Sequence, residues 1–175
     1  MNLADLKIRK LVSRKQLKDF RTGLEDVDAY FSEDAYKRHT ELLSNVFLVT
    51  YHKKFVAFFS LSNDKITFED VESEPCWKKF RTTHFPNEND YVSFSALIIG
   101  YIGVDNRSQN VGIGTYLLNY IKAKAKKAPV GGARFLTVNS YREAFDFYLK
   151  NGFKFITEAD VEYDTRLMYF DLLAN

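Results

Sequence analysis

The order of apolar and polar positions along the chain predicts a series of β-strands. Residues 5–12, DLKIRKLV, alternate between polar and apolar side chains, which is the pattern of a half-buried strand. The runs NVFLVTY (45–51) and KFVAFFSL (54–61) are rich in β-branched and aromatic residues, and the polar HKK between them predicts an antiparallel hairpin. The nearly continuous apolar run FSALIIGYIGV (94–104) predicts a central strand, with a bulge or close backbone approach near its glycines. Three later runs also predict strands: RFLTVNS, FKFIT and TRLMYFDLL.

Helical spacing of apolar residues marks the segments between these strands. Ser13 is a candidate helix cap, and apolar residues then recur every three or four positions to residue 31, with Gly23 as a break. A second helix is predicted over residues 32–43. Residues 114–125 predict a third helix, and YREAFDFYLKN predicts a fourth that is closed by Gly152. The predicted order is β-α-α-β-β-β-α-β-α-β-β.

Residues 63–93 mix charges, two prolines and scattered aromatics without a sustained period. Long loops are uncommon in compact domains and are often functional, so this stretch is either a lid or a packed excursion with a short helix around Trp77. With this insertion, residues 1–175 are predicted to form a single domain, because their number suits one hydrophobic core.

Composition excludes several classes of protein. Cys76 is the only cysteine, and the three histidines are far apart in sequence, so neither an internal disulfide nor a metal site is predicted. No apolar run approaches the roughly 20 residues of a membrane helix, and the first residues lack the pattern of a signal peptide. A cytoplasmic protein without membrane contact is therefore predicted. The formal net charge of +2 permits a phosphate-rich ligand but does not by itself indicate nucleic-acid binding.

The polar stretch NRSQNVGIG (106–114) places two close glycines directly before the third predicted helix. The first N–H groups of a helix have no partner inside it, and together with the helix dipole they form a site for anions. Gly112 and Gly114 lack the β-carbons that would keep a phosphate from these donors, and Gln109 adds a side-chain donor. The stretch lacks the Gly-Lys-Ser/Thr ending of a P-loop and the third small residue of a dinucleotide fingerprint. It predicts a site for a phosphate or pyrophosphate.

Two motifs together resemble the acetyl-CoA site of the GCN5-related N-acetyltransferase (GNAT) superfamily. The first is Gln-x-x-Gly-x-Gly at residues 109–114, which follows a buried strand and opens an amphipathic helix. The second is AFDFYLKNGF (144–153), which is similar to the family signature Ala-x-x-Phe-Tyr-x-x-x-Gly-Phe. Asn110 and Val111 stand where many members carry a glycine and a basic residue. The missing cation would leave the pyrophosphate to backbone N–H groups and Gln109, unless a lysine from residues 122–127 compensates; the alternative is that these lysines form a solvated helix face.

The resemblance implies the GNAT fold, an α/β (α+β) architecture with a central mixed, mostly antiparallel sheet. In this fold the sheet is splayed between its fourth and fifth strands and is flanked by helices. The resemblance also implies acetyl-CoA as co-substrate, without a metal. The cofactor-binding residues predicted on this basis are Ile102, Val104, Gln109, Asn110, Val111, Gly112, Ile113, Gly114, Thr115 and Asn139. Asn139 suits a helix cap equally well.

Tyr148 occupies the position at which many family members use a tyrosine hydroxyl to protonate the departing thiolate, and it is the predicted catalytic residue. The alternative is that Tyr148 is a core aromatic like its neighbours. The family reaction is direct attack of an amine on the thioester within a ternary complex, with an N–H group near Val104 stabilising the oxyanion. No general base is assigned, although Glu41 and Glu143 are candidates.

The acceptor of the acetyl group is not fixed by the two motifs. The segments FRTGLEDVDAYFSEDA (20–35) and DTRLMYFDL (164–172) resemble a bacterial branch of the superfamily that includes acetylating toxins of toxin-antitoxin pairs. The main prediction is transfer to a small-molecule, peptide or protein amine. The first alternative is a toxin that acetylates the α-amine of aminoacyl-tRNA and binds a cognate antitoxin, and the second is an acyl-CoA sensor without catalysis. Exposed aromatics would allow a homodimer.

Overall fold

The computed structural model describes residues 1–17, 19–86, 91–127 and 132–174. The strands in these residues are β1 (Lys7–Lys10), β2 (Asn45–Tyr51), β3 (Lys54–Thr67), β4 (Ser93–Val104), β5 (Phe135–Tyr141), β6 (Lys154–Phe155) and β7 (Thr165–Asp171). The α-helices are α1 (Glu25–Ala29), α2 (Ala35–Thr40), α3 (Glu74–His84), α4 (Ile113–Lys126) and α5 (Phe145–Lys150).

The strands form a seven-stranded sheet in the order β1-β2-β3-β4-β5-β7-β6. The pairs β1–β2, β2–β3, β5–β7 and β6–β7 are antiparallel, whereas β4–β5 is parallel. This mixed, mostly antiparallel α/β architecture confirms the predicted fold class. The element order differs in one respect, because α3 stands between β3 and β4.

The chain divides into two compact units. The first comprises Met1–Ser62 and Ile99–Ile121, and the second comprises Asn63–Ile98 and Lys122–Asn175. Both β3 and β4 contribute residues to each unit. The site residues predicted from sequence are therefore described unit by unit below.

The first unit has an aromatic core. Its buried cluster consists of Leu11, Phe20, Val27, Tyr30, Phe31, Ala35, Val46, Leu48 and Phe58. Burial of large side chains is the main favourable term in folding, at roughly 1.5–3 kcal/mol for each fully buried residue. The rings of Tyr30 and Tyr101 stack with centroids 3.7 Å apart. This core packs α1 and α2 against β2, β3 and β4.

The first helix starts later than the sequence pattern predicts. Ser13 caps only a single 3₁₀ turn, Arg14–Gln16, and α1 begins at Glu25. Gly23 has φ of +87°, a conformation that glycine adopts without steric cost. It interrupts the helical pattern, as predicted. The Asp28 carboxylate accepts from the Thr22 N–H at 2.7 Å and organises the entry to α1. This bond across six positions, rather than the apolar spacing, sets the start of α1.

The hairpin predicted around HKK is present. His52 and Lys53 both have positive φ, at 46° and 67°, which is the conformation of a type I′ turn. Such turns match the twist of the strands that they join, so the sequence predicts the antiparallel pairing of β2 with β3 correctly. The third strand extends further than predicted and continues to Thr67.

The second unit has its own core, in which α3 takes part. The helix expected around Trp77 is α3, and its buried residues Trp77 and Phe80 pack with Phe94 of β4 and Phe135 of β5. Residues 63–86 of the predicted excursion thus contain the end of β3 and a packed helix. Residues 87–90 of that excursion lie outside the described residues.

A polar cluster links the end of α3 to the sheet of the second unit. Arg134 donates to the Asp171 carboxylate through two N–H groups, at 2.7 and 2.8 Å, and His84 Nδ1 lies 2.9 Å from the same carboxylate. Burial acts to raise the pKa of Asp171, but the hydrogen bonds from Arg134, the Leu173 N–H and His84 prevail and lower it to about 2. Burial lowers the pKa of His84 in spite of its carboxylate partner.

Candidate functional site

The end of β4 is held by unusually close packing in the first unit. A β-carbon on Gly103 would lie 2.7 Å from Phe58 Cε1, 2.8 Å from Thr22 Cγ2 and 3.1 Å from Val27 Cγ1. Only glycine fits at this position, as expected from the close backbone approach predicted for the strand. The packing fixes the backbone on either side, which places the half-buried Ile102 and Val104 at the end of β4.

The turn after β4 is tied down by Asp105, whose side chain is only 2% exposed. Its carboxylate accepts from Arg107 Nε at 2.7 Å and from the Arg107 N–H at 3.1 Å. The hydrogen bond from Arg107 is the main cause of the lowered pKa of Asp105. The neighbouring Asn106 N–H donates to the Arg21 carbonyl at 2.7 Å. The turn is therefore anchored to a segment distant in sequence.

Gln109 uses its side chain within the protein. Its Nε2 group donates to the Thr22 carbonyl at 2.8 Å and to the Val104 carbonyl at 3.1 Å. Both amide hydrogens are thereby engaged, since a primary amide has two. A hydrogen bond from Gln109 to a phosphate would require the side chain to give up one of these two bonds, and this role stays a prediction. The two bonds show that Gln109 fixes the spacing between the end of β4 and the glycine loop.

The glycine loop leads into α4 with two residues in the left-handed region. Asn110 has φ of +60° and Gly112 has φ of +86°. Alternation of left-handed and ordinary backbone turns successive N–H groups toward one side, which makes a concave site for anions. Ile113 is buried and Val111 is exposed, so the apolar anchor points inward while the loop surface stays open. The Tyr116 N–H donates to the Gly112 carbonyl at 3.0 Å and starts the helix.

Arg107 is the one lysine or arginine in residues 105–115, and its side chain is already engaged within the protein. The Arg107 side chain is 69% exposed, but its guanidinium donates to the Asp105 carboxylate and to the Asp19 carbonyl. An anion at the start of α4 would therefore rely on backbone N–H groups and the helix dipole. Gly114 and the exposed Thr115 lie in the first turn of α4, where these donors are found.

Tyr148 lies on α5 in the second unit, where it is buried. Its ring centroid is 5.3 Å from that of Phe153. Gly152, with φ of +80°, ends the helix, and the Phe153 N–H donates to the Tyr148 carbonyl at 3.0 Å, as in a Schellman motif. Lys122 supports the same end of α5, because its ammonium donates to the Asn151 carbonyl and lies 3.9 Å from the Phe170 ring centroid. Lys122 is thus half-buried rather than part of a solvated face.

Burial raises the pKa of the Tyr148 hydroxyl, so the phenol is protonated over the whole neutral range. A raised pKa also makes complete proton transfer to a thiolate less favourable, since a free thiol has a pKa of about 8.5. The hydroxyl is therefore suited to donate a hydrogen bond to a developing negative charge. Such a donor stabilises the charge without leaving a tyrosinate behind.

Asn139 lies inside β5, where it pairs with Leu167 of β7 and is exposed. The following turn, Arg142–Ala144, has Tyr141 as its N-cap residue and no side-chain cap. Asn139 is thus a strand residue, and its role toward a ligand stays a prediction.

The predicted residues fall into two groups. Those on β4, in the glycine loop and at the start of α4 all belong to the first unit, whereas Asn139 and Tyr148 belong to the second. Asp105 and Arg107 shape the loop but were not predicted from sequence. An aspartate directly after a buried strand was the available signal, but its partners could not be read from spacing. Among the described residues, no group of His, Cys, Asp and Glu is placed to hold a metal ion, and no helix could span a membrane.

Comparison with a family model gives a match over residues 95–168, to the acetyltransferase (GNAT) domain. The matched segment covers most of β4, all of α4, β5, α5 and β6, and the first four residues of β7. It therefore includes the glycine loop and Tyr148. Among curated proteins, no sequence matches this chain.

Solved structures share the fold over almost the entire chain. A tyrosine-to-phenylalanine mutant of KacT superposes with a TM-score of 0.75 at 17% identity, covering 96% of this chain and 95% of the other. AtaTR bound with AcCoA gives a TM-score of 0.74 at 16% identity, covering 97% and 95%. AtaT complexed with acetyl-methionyl-tRNA gives 0.72 at 16% identity, covering 95% of each chain. At these identities the likeness establishes the fold.

Proposed function

We propose that this chain moves an acetyl group from acetyl-CoA directly to a primary amine. The match of residues 95–168 to the GNAT acetyltransferase domain carries this proposal. The domain makes the chain an acetyl-CoA-dependent N-acetyltransferase, and the acceptor is the part that the proposal adds.

The co-substrate would be held by the first unit. Its pyrophosphate suits the loop of Gln109 to Thr115, where Asn110 and Gly112 have positive φ and Val111 is exposed. The peptide-like arm of CoA would pair with the backbone of Ile102 and Val104 as an added strand. The Val104 carbonyl also accepts a hydrogen bond from Gln109 Nε2.

The chemistry would need no covalent enzyme intermediate. A deprotonated amine attacks the thioester carbonyl, a backbone N–H near Val104 stabilises the oxyanion, and the Tyr148 hydroxyl donates to the departing sulfur. The raised pKa of Tyr148 supports this role, because the hydroxyl carries its proton at every working pH. Asn139 is proposed as a further contact to the co-substrate.

A second candidate acceptor is aminoacyl-tRNA. Several structures with this fold are toxins or toxin complexes, among them AtaT complexed with acetyl-methionyl-tRNA and the AtaT-AtaR complex bound to DNA. Segments 20–35 and 164–172 resemble the same branch. In this hypothesis the acceptor is the α-amine of the amino acid attached to a tRNA. An antitoxin is then the expected protein partner.

The test follows the label from radioactive acetyl-CoA. The protein is incubated in parallel with charged tRNA, uncharged tRNA and a panel of amines and peptides. Label on charged tRNA alone would support transfer to aminoacyl-tRNA, as in a toxin. Label in the amine panel would support an N-acetyltransferase that acts on amines or peptides. If the protein binds acetyl-CoA and shifts its melting temperature but labels nothing, the proposed transfer is wrong and a sensor remains.

A further inference from the structure

The carboxylate of Asp64, in the second unit, has no role predicted from sequence. Asp64, near the end of β3, is half-buried, and its Oδ2 accepts a hydrogen bond from the Thr137 hydroxyl of β5. Thr137 is fully buried. This bond spans two strands that are not neighbours, because β4 lies between β3 and β5 in the sheet. The Oδ1 atom of Asp64 accepts no hydrogen bond from the described residues and can receive a donor.

The bond lies where the parallel pairing ends. The register of β4 with β5 runs from Ala96 with Phe135 to Ile98 with Thr137. Residues 138–141 of β5 continue past this last pair. Since side chains alternate along a strand, Asn139 shares a face with Thr137 and is exposed there. Asp64 therefore stands beside the part of β5 that contains the proposed co-substrate contact Asn139.

Tyr148 belongs to the opposite face of β5. Its ring packs on Phe153, and the Phe153 ring lies 5.6 Å from that of Phe170. Phe170 pairs with Leu136, whose side chain points away from the face of Thr137. The carboxylate of Asp64 and the phenol of Tyr148 thus lie on opposite faces of one strand. Two separate side chains are then available, one to accept a proton from the attacking group and one to donate to the leaving group.

We propose that Asp64 receives the ammonium of the acceptor and removes the proton that the amine must lose before attack. The proposal rests on the function proposed above, and it makes the acceptor a primary amine that arrives as a cation. The ammonium gives one proton to the Asp64 carboxylate, which passes it to solvent. The C–N bond then forms, the C–S bond breaks, and the second proton lost by nitrogen balances the one that sulfur gains.

The Thr137 hydroxyl has a defined part in this arrangement. It fixes Oδ2 of Asp64, so that Oδ1 is the oxygen directed to the acceptor. A purely structural link between β3 and β5 would make a different demand. It would need only an acceptor atom for the Thr137 hydroxyl, which an asparagine side chain provides as well as aspartate does.

The experiment compares Asp64→Asn, Asp64→Glu, Thr137→Val and the control Glu69→Gln, which removes one exposed negative charge close by on the chain. For each variant we would measure kcat and KM for the acceptor, KM for acetyl-CoA and the urea midpoint of unfolding. The acceptor is the amine or charged tRNA that takes label from the wild-type protein. Asparagine keeps the bond to Thr137, so Asp64→Asn should leave the urea midpoint and the acetyl-CoA KM near wild type.

The expected result is a loss of about 10²-fold in kcat/KM for the acceptor in Asp64→Asn. Asp64→Glu should recover part of the loss, Thr137→Val should lose less than Asp64→Asn, and Glu69→Gln should match wild type. Full activity of Asp64→Asn overturns this inference while the proposed transfer stands. A wild-type protein that transfers acetyl to no amine overturns both, so the two failures are distinguishable.

Discussion

Gly103 lies so close to Phe58 that a β-carbon at position 103 would stand 2.7 Å from Phe58 Cε1. Both residues are fully enclosed, so neither can move without disturbing the core that holds the end of β4. This contact holds the backbone at the end of β4 in place, including the carbonyl and N–H groups of Ile102 and Val104.

The mutation Gly103→Ala should therefore destabilise the protein by about 1 to 3 kcal/mol, the usual cost of overpacking a core. Urea unfolding measures the change. Gly132→Ala is the matched control, because nothing lies within 4 Å of a β-carbon at position 132. Equal midpoints for the two variants would contradict the packing argument.

Gln109→Glu should lose both stability and affinity for acetyl-CoA. The amide nitrogen donates to two carbonyls, and a carboxylate in its place has no proton to give, so about 1 to 3 kcal/mol of stability should be lost. Gln16→Glu is the control, since Gln16 uses its oxygen to accept from the Val12 and Ser13 N–H groups. A carboxylate serves that role well. Isothermal titration with acetyl-CoA and urea unfolding report the two effects.

Asn110 offers a test of the loop backbone. Its φ of +60° is free of strain for glycine and unfavourable for a β-branched residue, by about 1 to 2 kcal/mol. Asn110→Gly should keep wild-type affinity for acetyl-CoA, and Asn110→Val should weaken it. If Asn110→Val bound as tightly as wild type, the left-handed turn would have no part in binding.

Tyr148→Phe should lower kcat by about 10²-fold and leave acetyl-CoA binding unchanged. Because burial raises the pKa of the hydroxyl, the wild-type rate should show no alkaline loss from Tyr148 below pH 10. The control is Tyr169→Phe, which removes a half-buried hydroxyl whose pKa is also raised by burial. Pre-steady-state acetyl transfer with the identified acceptor gives the rate, and unchanged turnover in Tyr148→Phe would assign this residue to the core.

The Asp171 cluster predicts a defined acid sensitivity. A carboxyl whose pKa is lowered from 3.8 to about 2 stabilises the fold by about 2 kcal/mol above pH 4. This contribution is lost as the pH falls from about 4 to 2, because the unfolded chain binds the proton first. Asp171→Asn should therefore be less stable at pH 7, with a difference that shrinks toward pH 2.

The control for that experiment is Asp164→Asn. Asp164 also pairs with an arginine, but its side chain is 93% exposed, so its removal should leave the unfolding midpoint unchanged at every pH. Urea unfolding at pH 7 and pH 3 separates the two aspartates. A constant difference between Asp171→Asn and wild type across this range would refute the assigned pKa.

Local patterns in the sequence predicted the features that depend on neighbours along the chain. The hairpin at His52 and Lys53, the break at Gly23 and the helix that starts after Gly112 all follow from residues within a few positions. The first helix was predicted too early, because the Asp28 carboxylate, not the cap at Ser13, sets its start.

Contacts between distant segments could not be predicted in this way. The Arg21 N–H reaches the Asp105 carboxylate across 84 positions, and His84 reaches Asp171 across 87. The periodicity of apolar residues in a single sequence does not reveal which distant residues will pair. The bond of Thr137 to Asp64 belongs to the same class, which is why no acceptor-side carboxylate could be assigned before the fold was known.

The fluorescence of Trp77 can be used to follow the unfolding of one unit. Trp77 is the only tryptophan, and it lies in the core of the second unit, 5.4 Å from the ring of Phe94. Its fluorescence therefore records the state of that unit alone, whereas circular dichroism averages over the chain. If the two signals change at one urea concentration, the units melt as a single cooperative body; if they separate, each unit has its own stability.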